Sequence, residues 1–251
     1  MDININKFDD EVPEFLTKRE RKAQKRYLKE QFKKDEKRIS IRRINPLTEN
    51  QERVFDAFSE GQHLFLFGSA GTGKTFLAMY LALYAIEKRI EEKPIVIIRS
   101  VVPSRDIGFM PGTLEEKIQF YETPYEHICN ELTGKPTSYD HYKRNGTIQF
   151  TTTTYLRGLT FRDNVVIVDE CQNMTDMEIN TIMTRMGEGC RIILCGDFKQ
   201  KDTMKESSGM PNLMKVVKQI PSFSSIEFGR DDIVRSGLVK EYILARENLG
   251  L

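Results

Sequence analysis

The sequence predicts an α/β domain with helices packed on a mostly parallel sheet, preceded by a basic helical arm. Three observations carry this. Short apolar runs at 63–67, 95–98, 165–168 and 191–195 alternate with helical stretches, the order in which strands and crossover helices build parallel sheets. The run Ile95-Val96-Ile97-Ile98 is unbroken and β-branched, as a strand buried on both faces requires. A glycine-rich octet, Gly68-Ser69-Ala70-Gly71-Thr72-Gly73-Lys74-Thr75, joins the first of these runs to a helical stretch.

Length and composition bound the rest. The chain has 251 residues, enough for one large domain with an appendage or two small ones. With 39% hydrophobic and 30% charged residues, it reads as a water-soluble protein. No apolar run approaches the ~20 residues that span a bilayer, so no membrane partner is expected. Cys129, Cys171, Cys190 and Cys195 form no C-x-x-C pair, which favours free thiols and a cytoplasmic location over a disulfide frame or zinc site. His63, His127 and His141 show no ligand spacing.

Charge divides the chain. Residues 14–43 hold thirteen Lys/Arg against five Asp/Glu, whereas the body from Ile44 onward is mildly acidic. Residues 14–43 are rich in helix formers and lack Gly and Pro. Residues 1–44 are therefore read as a basic, mostly helical arm and 45–251 as the globular domain. A phosphate-contacting nucleic-acid arm and a solvated or oligomerisation helix fit this stretch equally.

The domain opens with a helix over 46–60, capped by Thr48 with Gln51 three residues on; Leu47, Val54, Phe55 and Phe58 form its apolar face and Gly61 stops it. The octet follows. It matches G-x-x-x-x-G-K-[ST] in the strand, loop, helix context that makes the pattern a phosphate cradle. Glycines let backbone N–H groups face phosphate oxygens, and the helix start adds unpaired donors. Lys74 can reach β- and γ-phosphates and the Thr75 hydroxyl can ligate Mg²⁺. A site for a nucleoside triphosphate is the consequence.

A helix over 114–132 interrupted by Pro124, a loop or short hairpin over 133–147, and a short strand at 148–152 come next. The run Val165-Val166-Ile167-Val168 then ends in Asp169-Glu170. Two acids after an apolar strand are often a plain strand end. Paired with the octet they become an Mg²⁺ ligand, Asp169, and a water-orienting carboxylate, Glu170. A helix over 175–186 with Met177 inward, a strand at 191–195 leading to Asp197 and Gln200 as candidate γ-phosphate contacts, a helix over 213–220, an edge strand at 225–228 and an amphipathic helix over 236–249 complete the chain. Arg235 begins that last helix as a candidate transition-state cation. If the partner is a nucleic acid, Arg99, Lys143, Arg144 and Arg157 are candidate contacts to its phosphates.

The segments GSAGTGKT, IIRSVV…GFMPGTLEEKI, VVIVDECQNMT, TRMG, CGDFKQ and IVRSGLVKEYI together resemble the PhoH-like ATPases over about residues 45–245. The resemblance implies a RecA-like P-loop domain of three layers, related to superfamily 1 helicase cores. It further implies ATP hydrolysis with Mg²⁺, ring-shaped, often hexameric, homo-oligomers, and RNA or single-stranded nucleic acid as partner. Carried over, Gly68 to Thr75 bind triphosphate with Lys74 catalytic, Thr75 and Asp169 hold Mg²⁺, and Glu170 activates water. Gln200 senses the γ-phosphate, Gln51 contacts the base, and Arg235 or Arg185 acts in trans. Ser69 stands where many relatives have Pro, and Gly237 where the family pattern has Pro. A nucleotide-gated scaffold with little turnover is the alternative; a small-molecule kinase lacks an evident lid with paired arginines.

Overall fold

The computed structural model describes residues 17, 19–23, 26, 40–100, 114–156, 158–197 and 208–249, with the side chains of 114–118 excepted. The chain divides into two units, 1–40 and 41–251. In the first, residues 19–23 are helical. Thr17 donates its N–H and hydroxyl to Glu20 at 2.9 and 2.7 Å, and the Glu20 N–H returns to Thr17 Oγ1 at 3.4 Å, a reciprocal cap that fixes the helix start. Most of the expected arm lies outside the described residues; residues 40–43, expected to be helical, are irregular.

In the second unit a six-stranded sheet runs β3-β2-β4-β5-β1-β6, every pair parallel. The strands are β1 (His63–Gly68), β2 (Ile95–Arg99), β3 (Ile148–Thr152), β4 (Val165–Asp169), β5 (Arg191–Asp197) and β6 (Phe223–Phe228). Strand alternation assigns each residue to a face. Leu64, Leu66, Ile95, Ile97, Val165 and Ile167 point to one core; Phe65, Phe67, Val96, Ile98, Val166 and Val168 point to the other. On the first face lie α1 (Glu49–Ser59), α2 (Lys74–Glu87), α3 (Leu114–Thr133) and α4 (Ser138–Arg144). On the second lie α5 (Asp176–Met183) and α6 (Met210–Val217). Two helical layers around a parallel sheet are the three-layer arrangement expected, and the sheet is all parallel because every connection crosses over through a helix or a longer segment.

Local chemistry explains the boundaries. The Thr48 hydroxyl accepts from the Gln51 N–H at 3.3 Å to start α1, and Gly61 ends its turn at φ +84°, a conformation that favours glycine. The crossover helix α2 buries nine of its fourteen residues, hence its nearly all-round apolar sequence.

Several expectations give way. Leu47 and Met177 are each 73% exposed, so neither joins its helix's core face. Residues 138–144 form α4 inside the expected loop, with Asn145 capping it and Gly146 at φ +78°. Helix α6 begins at Met210, three residues before the apolar run that signalled it, because Pro211 fits the first turn. The last helix, α7 (Gly237–Asn248), has no buried residue; its apolar side chains Leu238 and Tyr242 are exposed.

Candidate nucleotide-binding site

Parallel strands bring their C-terminal ends to one edge, where open α/β sheets bind ligands. At that edge β1 runs into the octet, β4 ends in Asp169-Glu170 and β5 ends at Asp197. Strand order matters here: β5 lies between β1 and β4, so the acids face the loop from one strand beyond its neighbour. A cavity of about 610 Å³ opens at this edge.

The loop's geometry follows from its glycines. Gly68 has φ +125°, and a Cβ there would strike the Phe228 carbonyl on β6. That close approach lets the Ser69 N–H bond Phe228 O at 2.9 Å. Gly73, left-handed at φ +83°, precedes α2 with no side-chain cap. The N-terminus of α2 therefore opens at the loop with its orphan donors and positive dipole end.

Lys74 is 5% exposed. Its ammonium lies 2.7 Å from Asp197 Oδ1 and donates to Ser69 O at 2.7 Å and Thr72 Oγ1 at 3.1 Å. These are partners that phosphate oxygens can replace, since a buried ammonium must always have acceptors. The Thr75 hydroxyl donates to Asp169 Oδ1 at 2.8 Å, and the Tyr125 hydroxyl of α3 donates to the other oxygen at 2.8 Å. Burial pushes the Asp169 carboxyl up, against the hydrogen bonds from Thr75 and Tyr125. Glu170 is also pushed up, first by burial and then by the Asp169 charge, with Arg99 opposing. Glu170 itself sits left-handed at φ +56°. Its Oε2 accepts from Gln172 at 2.6 Å and Asn173 at 3.3 Å, and Arg99 Nη2 is 3.8 Å from its Oε1.

The expected residues thus divide. Gly68 through Thr75, Asp169 and Glu170 converge. Gln51, 4% exposed, stands at the cavity wall. Arg235 is exposed at the rim of this same chain's pocket, and its Cγ would lie 3.0 Å from a Cβ on Gly71. Arg185 is elsewhere: its carbonyl accepts from the Phe161 N–H just before β4, at the opposite edge of the sheet. Gln200 and Arg157 lie outside the described residues. Lys143, expected as a phosphate contact, pairs with Glu122 at 2.6 Å.

Three further residues line or support this pocket without a local pattern to announce that role. Arg99, expected as a nucleic-acid contact, lines the cavity. Tyr125 holds Asp169, and Gln172 holds Glu170; Gln172 also accepts the Asp197 N–H at 2.9 Å, tying β5 to the Glu170 turn. The usable signal for Arg99 is its place at the end of β2, which pairs in register with Asp169.

Comparison with known proteins identifies the family. A family profile described as "PhoH-like protein" matches residues 43–247. A PhoH-like protein of Bacillus subtilis is 34% identical over 86% of this chain and 67% of its own length; one of Mycobacterium leprae is 33% identical over 80% and 57%. Protein PhoH of Escherichia coli is 30% identical over 78% and 56%. The chain thus spans a little over half to two thirds of the length of these relatives. Among solved structures, the large terminase of a thermophilic bacteriophage overlaps 79% of this chain and 50% of its own at 13% identity and a TM-score of 0.48. The Pif1 helicase of Candida albicans overlaps 82% and 44% at 19% identity and 0.40. The all-parallel sheet, its glycine loop and the acids at the same edge make this a RecA-like P-loop domain, and the chain belongs to the PhoH-like protein family.

Proposed function

We propose that this protein hydrolyses ATP with Mg²⁺, coupled to RNA or single-stranded DNA in a homo-oligomeric ring. The carrying observation is the convergence of Lys74, Thr75, Asp169 and Glu170 within one cavity. Their chemistry suits Mg²⁺: Thr75 and Asp169 present two hard oxygen ligands, and among the described residues no cluster of three His, Cys, Asp or Glu forms a cage. A cation held by one carboxylate and substrate phosphates is the usual magnesium arrangement. When bound there, the ion would neutralise charge on the β- and γ-phosphate oxygens.

The chain's own groups account for the remaining steps. Loop N–H groups and Lys74 hold the triphosphate as its charge redistributes. Glu170 orients a water whose oxygen bonds the γ-phosphorus as the bridge to the β-phosphate breaks, and it accepts the water's proton. Its raised pKa matches that role. Gln172 and Arg99 fix its orientation. Lys74 exchanges its contact with Asp197 for the incoming phosphate, and Gln200 senses the γ-phosphate. Arg235 or Arg185 supplies a cation in trans to a neighbouring subunit's site.

Several observations support the finer parts. One domain furnishes one wall of a pocket whose rim residues Leu47 and Arg235 are exposed, which favours completion by a second copy. The basic stretch 14–43 supports a nucleic-acid partner. The described cysteines are free, and among the described residues no helix is long and apolar enough to cross a membrane; we place the protein in the cytoplasm.

The test is ATP turnover with and without single-stranded RNA or DNA. The proposal predicts stimulation by one polymer, with a sedimentation profile larger than a monomer. Unchanged turnover with every polymer would remove the coupling, and tight ATP binding without turnover would leave a nucleotide-gated scaffold.

A further inference from the structure

We propose that Gln51 is a positioning residue for the phosphate loop, and that the site discriminates little among the bases of nucleoside triphosphates. The inference rests on the triphosphate reading of the pocket. Gln51 carries one carbonyl oxygen and one amide nitrogen with which to read a base edge. Each already holds one partner within the chain, on a side chain that is 4% exposed. Oε1 accepts from the Leu47 N–H at 2.8 Å, and Nε2 donates to the Thr72 carbonyl at 3.4 Å. Thr72 is fully buried; its hydroxyl donates to Ser69 O at 3.1 Å and accepts from Lys74. A continuous hydrogen-bonded path therefore runs from the turn before α1, through Gln51 and Thr72, to the loop lysine.

Turning the amide to read an adenine edge would disturb its bonds to the Leu47 N–H and the Thr72 carbonyl, a cost set against whatever the base repays. The rest of this end of the cavity is apolar: Ile44, Leu47, Phe76 and Ile128. Its further polar groups, His127 and Glu131 on α3, are exposed, where water competes for their hydrogen bonds. Apolar walls offer area without an edge pattern, and strong rejection belongs to sites whose buried polar groups must be paired by the substrate. With Gln51 buried and braced on the backbone, the base end presents mainly apolar surface.

The experiment is equilibrium binding of ATP, GTP, CTP, UTP and base-free tripolyphosphate, with Mg²⁺, to the full chain and to Gln51→Ala and Gln51→Met. The proposal predicts affinities for the four nucleotides within roughly tenfold of one another. Both variants should weaken all five probes by a common factor, tripolyphosphate included. A preference for ATP beyond tenfold overturns it. So does a variant that loses ATP affinity while holding tripolyphosphate as before, or one that changes nothing. If neither variant folds, the wild-type nucleotide series still decides. Failure of all five probes to bind the wild type overturns the triphosphate reading and this inference together.

Discussion

The two ends of the pocket are built on different principles. At the phosphate end the groups that frame the loop are buried and paired: Lys74 and Asp169 are each 5% exposed, and Thr72 is fully enclosed. At the rim, Leu47 is 73% exposed, Arg235 is exposed, and α7 contributes no buried residue. A buried polar network is costly when incomplete, so the phosphate end holds one geometry. The rim carries no such penalty and is free to meet other molecules. One end is therefore fixed by the fold, and the other is open to solvent.

Substitutions can break or sharpen this contrast. The largest effect is expected in the sheet beneath the phosphate end. Ile167→Ala, at a fully buried β4 position two residues before Asp169, should cost about 2–5 kcal/mol in denaturant unfolding. Next comes Tyr125→Phe, which removes a donor to a buried carboxylate oxygen; about 1–3 kcal/mol of stability should be lost. A smaller loss would show that the Asp169 oxygen finds other partners. Ser69→Ala removes a half-buried hydrogen bond to Glu247 on α7 at 2.9 Å, a contact between the two ends; about 0.5–1.5 kcal/mol is expected. The smallest effect belongs to the rim: Leu238→Ser, at a residue 79% exposed, should leave monomer stability within about 0.5 kcal/mol. A loss of more than about 1.5 kcal/mol there would show that α7 is packed more tightly than its exposure indicates, ending the contrast.

The same contrast explains what the sequence discloses. The phosphate end is legible because its chemistry is contiguous: eight residues carry the loop, and two follow an apolar run. Its β-branched strands announce double burial, and both faces are indeed packed. The rest depends on strand order, which no local pattern encodes. Arg99 meets Glu170 only because β2 lies beside β4, and Tyr125 reaches Asp169 across 44 positions. Helix α4 is hidden between Gly134, Pro136 and the Asn145-Gly146 turn, which frame a seven-residue helix as readily as a loop. Apolar Leu47 and Met177 suggest core faces, but burial depends on what packs opposite. Gln51 is visible as a helix-start residue; that its amide braces Thr72 appears only in three dimensions.

The central claim is that Lys74 and Glu170 form a working hydrolytic site. It is tested most directly by Mg²⁺-dependent phosphate release from ATP by the full chain beside Lys74→Ala and Glu170→Gln. The account predicts release by the wild type and a fall of about 10²–10³-fold in each variant, with Glu170→Gln still binding ATP. Equal phosphate release by all three proteins would contradict it.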